Sequence, residues 1–312
     1  MKNMRWNTFA RYSHCSLVAL LFAGCGGQLP TDGQMHASGN SRLLSSSSGV
    51  SMLNYDQAVL ADRPVLYLAM RSPQLGSEYD LTGNGNNGTY RSTDGAKPFA
   101  VTMPNGDTAS RFNGLDQFLE VADADALSVP TTGVLTLEAW MRPDVLEFPK
   151  NEGSGYVHWM GKGQGTGVTG QQEYVARMYS LSNTEERQNR ISGYAFNPEG
   201  GKGSGSYFQE PVTPGEWIHY ALVINTRATS AKYPTGYVRI YKNGVLKDTT
   251  ALNQFDVVPR NGTAPFQVGT RAAKSFFLGA IGKVAMYSYE LTREQLGAHY
   301  NAMCAIGCPS SS

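Results

Sequence analysis

Histidine and cysteine are scarce: five and four residues in a chain of 312. No second Cys/His pair accompanies the Cys304-x3-Cys308 spacing, so a zinc-type ligand set is not on offer. Charge asymmetry is missing too, with Lys+Arg 26 against Asp+Glu 25 and no basic block or acidic tail. A chain without such a footprint is a poor partner for nucleic acid or anionic lipid. Long apolar runs are absent as well; the stretch Leu17 to Ala23 is too short to cross a bilayer, which takes about 20 helical residues. No Gly-x-Ser-x-Gly elbow occurs, and His158, His219 and His299 are scattered, which argues against a hydrolase triad. Helix signals are few. What the chain has is glycine (35), tyrosine (17) and a low charged fraction of 16%. That profile belongs to turn-rich, aromatic-rich, secreted all-β proteins.

The first 24 residues read as a signal peptide, with Lys2, Arg5 and Arg11 ahead of the apolar run. Leu21-Phe22-Ala23-Gly24-Cys25 resembles the lipobox of bacterial lipoproteins, which implies lipidation of Cys25. Gly26 after the cysteine resembles outer-membrane sorting. The expected location is therefore the bacterial outer membrane, lipid-anchored, facing the periplasm or the cell surface. The alternative is an ordinary cleaved signal with an incidental cysteine. Residues 25–53, including Ser45 to Ser48, are polar and expected to act as a flexible tether. One domain is expected over 54–303 and a short tail over 304–312, with Cys304 and Cys308 closing a small disulfide in an oxidising compartment.

Strand periodicity recurs through the domain. Leu135, Leu137, Ala139 and Met141 share one face, and Val134, Thr136, Glu138 and Trp140 the other. Trp217 to Ile224 is apolar on both faces, as in a central strand covered twice. Asn243-Gly244 between Tyr237–Lys242 and Val245-Leu246 marks a tight hairpin. Thr292 and Gln295 form a capping box ahead of a stripe of Leu296, Tyr300 and Met303, which predicts one short C-terminal helix. The pattern predicts an all-β, two-sheet antiparallel β-sandwich.

Eight stretches carry a resemblance to LamG-like jelly-roll domains of the concanavalin A-like lectin/glucanase superfamily. They are Gln57–Tyr67, similar to that family's opening strand, Asp80–Tyr90, Phe112–Val121, Leu137–Trp140, Gly215–Ala221, Tyr241–Val245, Gly279–Tyr287 and Leu291–Leu296. They follow one another in the family's order. The resemblance implies a concanavalin A-like jelly roll, with glycan or an extracellular protein as partner, and a monomer.

Catalytic relatives in the superfamily set two carboxylates about 5–5.5 Å apart across the sugar, on a Glu-x-Asp-x-x-Glu strand. The nearest cluster here, Glu120, Asp123 and Asp125, has the wrong spacing and reads as a solvated strand end. The chain is thus expected not to be an enzyme. The family often carries structural calcium, for which Asp80, Asn84 and Asn86 are the candidate ligands, though Gly282 stands where relatives place a carboxylate and the cation Lys283 follows it. The alternative is an Asx/Gly turn bonded to itself. For glycan, the least family-like stretch, from Glu147 to Glu210, offers Tyr156, Trp159, Tyr194, Asn197, Glu199, Tyr207 and Phe208. Its glycine runs, 161–167 and 200–205, are expected to be flexible hairpin tips rather than a phosphate cradle.

Overall fold

The computed structural model describes residues 54–164, 170–304 and 308. The leader, Cys25 and the tether lie outside the described residues, as do 165–169 of the first glycine run and most of the tail. Helix α1 (Tyr55–Ala61) opens the domain and helix α2 (Arg293–Cys304) ends it. Between them run β1 (Leu66–Leu68), β2 (Ser77–Glu78), β3 (Gly88–Arg91), β4 (Phe99–Thr102), β5 (Thr108–Asn113), β6 (Phe118–Val121), β7 (Val134–Pro143) and β8 (Tyr156–Lys162). They are followed by β9 (Tyr174–Tyr179), β10 (Arg190–Asn197), β11 (Gly200–Gln209), β12 (Ile218–Asn225), β13 (Tyr237–Lys242), β14 (Val245–Ala251), β15 (Phe266–Val268) and β16 (Leu278–Tyr287).

All the pairings are antiparallel and build two sheets. The first has the order β14-β13-β12-β7-β16-β5-β4, with β1 also paired to β16; the second runs β11-β10-β9-β8-β15-β6-β3-β2. The alternation in β7 decides how they stack. Leu135, Leu137, Ala139 and Met141 enter the core with Trp159, Tyr174 and Ile191 of the second sheet. Trp140, on the opposite face, joins Tyr55, Val59, Leu296 and Met303 of the two helices. The first sheet is thus covered twice, which is why β12 is buried along its whole length.

Local chemistry closes the elements. Asn243 (φ 53°) and Gly244 (φ 75°) form the two-residue turn between β13 and β14, where Lys242 pairs with Val245. The Thr292–Gln295 box is reciprocal: Thr292 N donates to Gln295 Oε1 at 2.9 Å and Gln295 N to Thr292 Oγ1 at 3.2 Å. Cys304 and Cys308 are joined, with S–S 2.10 Å. The opening differs from expectation. Gln57 to Ala61 is helical rather than extended, because Asn54 caps Gln57 N and Gln57 caps Asn54 N in return. The strand begins only at Leu66, beyond Pro64.

Candidate functional site

The outer face of the second sheet carries a groove of about 620 Å³. Its floor is built by strand register. Tyr194 on β10 pairs across to Gly205 on β11, and Phe196 borders Gly203. A Cβ at 205 would stand 2.2 Å from Cδ1 of Tyr194, and one at 203 would stand 2.6 Å from Cε1 of Phe196. Both glycines therefore let an aromatic ring lie across the neighbouring strand. The second glycine run, expected as a flexible tip, is for the most part strand; only Asn197 to Gly200 forms the hairpin end. Tyr156 and Tyr207 line the same groove.

Arg177, from β9, stands among these rings. Its guanidinium lies 4.0 Å from the ring centre of Tyr156 and 4.8 Å from that of Tyr194. Nε donates to His158 Nε2 at 3.2 Å and Nη1 to the Tyr179 hydroxyl at 3.1 Å. His158 is fixed from behind, its Nδ1 2.5 Å from Glu152 Oε1. Burial pushes the His158 imidazole down to about 3, with Arg177 adding to the effect against the pull of Glu152. It is therefore neutral, accepting at Nε2 with its proton on Nδ1, the nitrogen that faces Glu152. Tyr179 and Tyr194 share a hydrogen bond at 3.1 Å. Burial, then the Tyr179 charge, pushes the Tyr194 phenol up to about 12. Burial would raise Tyr179 as well, but Arg177 and the hydrogen bonds it receives hold it below its ordinary value.

The expected ligand residues divide. Tyr156, Tyr194 and Tyr207 meet in the groove. Trp159 does not. It is fully buried between the sheets, its ring centre 4.8 Å from that of Tyr220, and it fills the core instead of meeting a ligand. A register shift between His158 and Met160 accompanies that inward placement. Phe208 is likewise in the core. Asn197 ties down a loop, donating to Asp256 O and accepting from Val258 N. Glu199 is exposed and pairs with Arg260 at 3.1 Å. Neither lines the groove. Arg177, Arg187, Arg190 and Lys202 do, and no local pattern marks them, since single basic residues on strands and in loops read as solvated.

The other sequence clusters have structural partners. Asp123 and Asp125 are exposed, as a solvated strand end requires, but Asp123 also pairs at 2.7 Å with the fully buried Lys162, which meets the buried Glu173 at 2.5 Å. Asp80, Asn84 and Asn86 share a turn, but the Asp80 carboxylate already accepts from Tyr67 N, Thr82 N, Thr82 Oγ1 and Asn86 N. The amides of Asn84 and Asn86 both donate to the Val65 carbonyl. Donors converging on the carboxylate do not fit a calcium site, and the turn is the self-bonded Asx form. Lys283 sits between Asp56 (2.6 Å) and Asp107 (2.7 Å), two carboxylates outside that turn. Glu185, paired with Arg187 at 2.8 Å, is the one carboxylate residue lining the groove among the described residues. His219 is buried against Glu138.

Two antiparallel sheets packed face to face, closed by a short C-terminal helix, define the class of concanavalin A-like sandwiches. The sequence matches the family model Laminin_G_3, of the concanavalin A-like lectin/glucanases superfamily, over residues 112–297. The chain belongs to that superfamily. No curated protein matches its sequence. Among solved structures it is similar to the ligand-binding domain of botulinum neurotoxin serotype D in complex with N-acetylneuraminic acid, with TM-score 0.52 and 13% identity over 78% of this chain and 52% of that one. The binding domain of Paraclostridial Mosquitocidal Protein 1 is similar at TM-score 0.53 and 14% identity, over 78% and 53%. The binding domain of botulinum neurotoxin DC in complex with rat synaptotagmin II gives 0.52 and 14%, over 78% and 52%. The chain spans about half the length of each, and at these identities the likeness is one of fold.

Proposed function

We propose that this protein is a non-catalytic binding module that holds glycan in the groove on its second sheet. The observation that carries this reading is the pair of rings, Tyr194 and Phe196, laid across glycines of β11 and flanked by Tyr156 and Tyr207. Flat aromatic faces receive the C–H side of a pyranose, and tyrosine hydroxyls and arginine N–H groups at the edge meet its hydroxyls. Two-carboxylate hydrolysis needs a facing pair of acids, and the groove offers Glu185, already engaged with Arg187. Within the same proposal, the lipobox-like Cys25 holds the module to the bacterial outer membrane through the residues up to 53, as a monomer.

A glycan array probed with the purified full-length protein tests this. The expected result is retention of a defined set of glycans, weakened at least tenfold by Tyr194→Ala and by Tyr207→Ala. An array with no retained glycan would sink the reading, and so would retention that both substitutions leave untouched. Retention of a protein ligand alone would move the assignment to adhesion.

A further inference from the structure

The charge of the groove goes beyond what a neutral sugar requires. Its lining holds Arg177, Arg187, Arg190 and Lys202 against Glu185, four cations to one anion and a net of three positive charges. The whole chain is balanced at 26 to 25. Elsewhere on the molecule some basic groups sit on carboxylates, as Arg239 does on Glu290 and Lys242 on Glu210, while others, such as Lys150 and Arg227, bond to backbone carbonyls. In the groove three of the four cations, gathered in one place, have no carboxylate partner. Arg177 rests on Tyr156, Tyr194, neutral His158 and Tyr179. Arg190 lies 3.8 Å over the Tyr207 ring and donates to the Gln209 amide oxygen. Lys202 lies 5.7 Å over the Phe255 ring. Among the described residues none of these three has an ion-pair partner, and Nη2 of Arg177 makes no hydrogen bond.

We propose that the groove selects acidic saccharides, sugars bearing a carboxylate or a sulfate, and that Arg177 receives the anionic group. The proposal rests on the glycan reading above and names the ligand class for that site. Arg177 is half-buried and held on two sides, Nε by the Glu152–His158 pair and Nη1 by Tyr179, so its guanidinium is oriented before any ligand arrives. A planar fork fixed in this way is suited to a carboxylate or sulfate, and a charge-assisted bond is about twice as strong as a neutral one. His158 is kept neutral by burial, so the imidazole beside the guanidinium is a pure acceptor at Nε2 and leaves the site's positive charge to the arginines. The rings of Tyr194 and Phe196 then hold the apolar face of the same sugar.

The test uses the full-length protein in affinity electrophoresis through gels containing dextran, polygalacturonate or dextran sulfate of matched length. Retardation by polygalacturonate or by dextran sulfate at least tenfold stronger than by dextran is expected, and which of the two acts identifies carboxylate or sulfate as the anion. Arg177→Gln should cut that retardation at least tenfold, with Arg177→Lys recovering only part of it, because lysine keeps the charge but loses the fork. Arg190→Gln, at the exposed rim, should cut it several-fold and serves if the Arg177 variants do not fold. Equal retardation by dextran and both acidic polymers would overturn acid selection while leaving glycan binding standing. Acid-selective retardation that no groove arginine alters would overturn the site assignment. No retardation by any of these gels, together with an empty glycan array, would overturn both readings.

Discussion

His299, near the end of the chain, sets its Nδ1 3.0 Å from both carboxylate oxygens of Glu138, in the middle of β7. Glu138 also meets His219 Nε2 at 2.6 Å and accepts from the Tyr55 and Tyr287 hydroxyls, each at 3.2 Å. Four side chains, from α1, β12, β16 and α2, thus converge on one buried charge of β7, beneath the helices that cover the first sheet. Asp62, after α1, faces the other side of His299 at 3.1 Å. A buried carboxylate with partners on every side is satisfied, but removing one partner leaves the charge uncompensated, which typically costs about 3–5 kcal/mol.

This network makes stability depend on pH. Burial alone would lower His299, but Glu138 and Asp62 hold it above its ordinary value of 6.5. Its contribution is therefore complete below pH 6.5 and is lost as the pH rises through the higher folded value. Burial alone would raise Glu138, but His299 and His219 hold it far below its ordinary 4.5, so its contribution is complete above 4.5 and lost only in strong acid. The melting temperature of the native protein should exceed that of His299→Gln most between pH 4.5 and 6.5, with the gap narrowing toward pH 9. A gap that stays constant across that range would refute the coupling.

Trp159→Ala should act as a core deletion. The side chain is fully buried, against Tyr220 and Phe277. Removing a core tryptophan costs about 3–5 kcal/mol. Denaturant unfolding should show that loss. Tyr207→Ala, at a 42% exposed position, should shift the midpoint far less. Equal shifts for the two would contradict the placement.

The difference between those two residues explains how far the sequence could be read. The alternation of β7, the Asn243-Gly244 turn and the Thr292–Gln295 cap are local signals, and each produced the element it predicts. Tyr156 and Trp159 are an odd number of residues apart, so on one regular strand they cannot share a face. Arg177 was illegible for another reason: its surroundings are set by the register that places it opposite His158 and Ser192, residues from two other strands. Glu138 reads as a polar position on a half-exposed strand until the helices at both ends of the domain fold over it. Helix α1 has only seven residues after its Asn54 cap, too few to show a helical period, which is why the stretch reads as extended.

Calcium should leave the fold indifferent. Each Asp80 oxygen already accepts hydrogen bonds, three at Oδ1 and one at Oδ2, and a cation would have to displace these donors. Melting in millimolar calcium and in excess chelator should give the same midpoint. A rise of several degrees with calcium would show a site that the Asp80 turn does not provide.

Gly205→Ala probes the floor of the groove. Its Cβ would stand 2.2 Å from Cδ1 of Tyr194 and 2.6 Å from the Gly193 carbonyl oxygen. The ring can swing away; the carbonyl can move only with the strand. Overpacking of this kind costs about 1–3 kcal/mol, and the displaced ring should weaken glycan retention as Tyr194→Ala does. Because the two residues touch, their effects should not add. The Gly205→Ala/Tyr194→Ala pair should lose less stability than the sum of the single changes, by about 0.5–3 kcal/mol in a double-mutant cycle. The cost of Gly205→Ala in the Tyr194→Ala background measures the contact with the Gly193 carbonyl. Strict additivity would mean that the Tyr194 ring does not lie on Gly205 in solution, and the groove would then lack the floor on which its binding is argued.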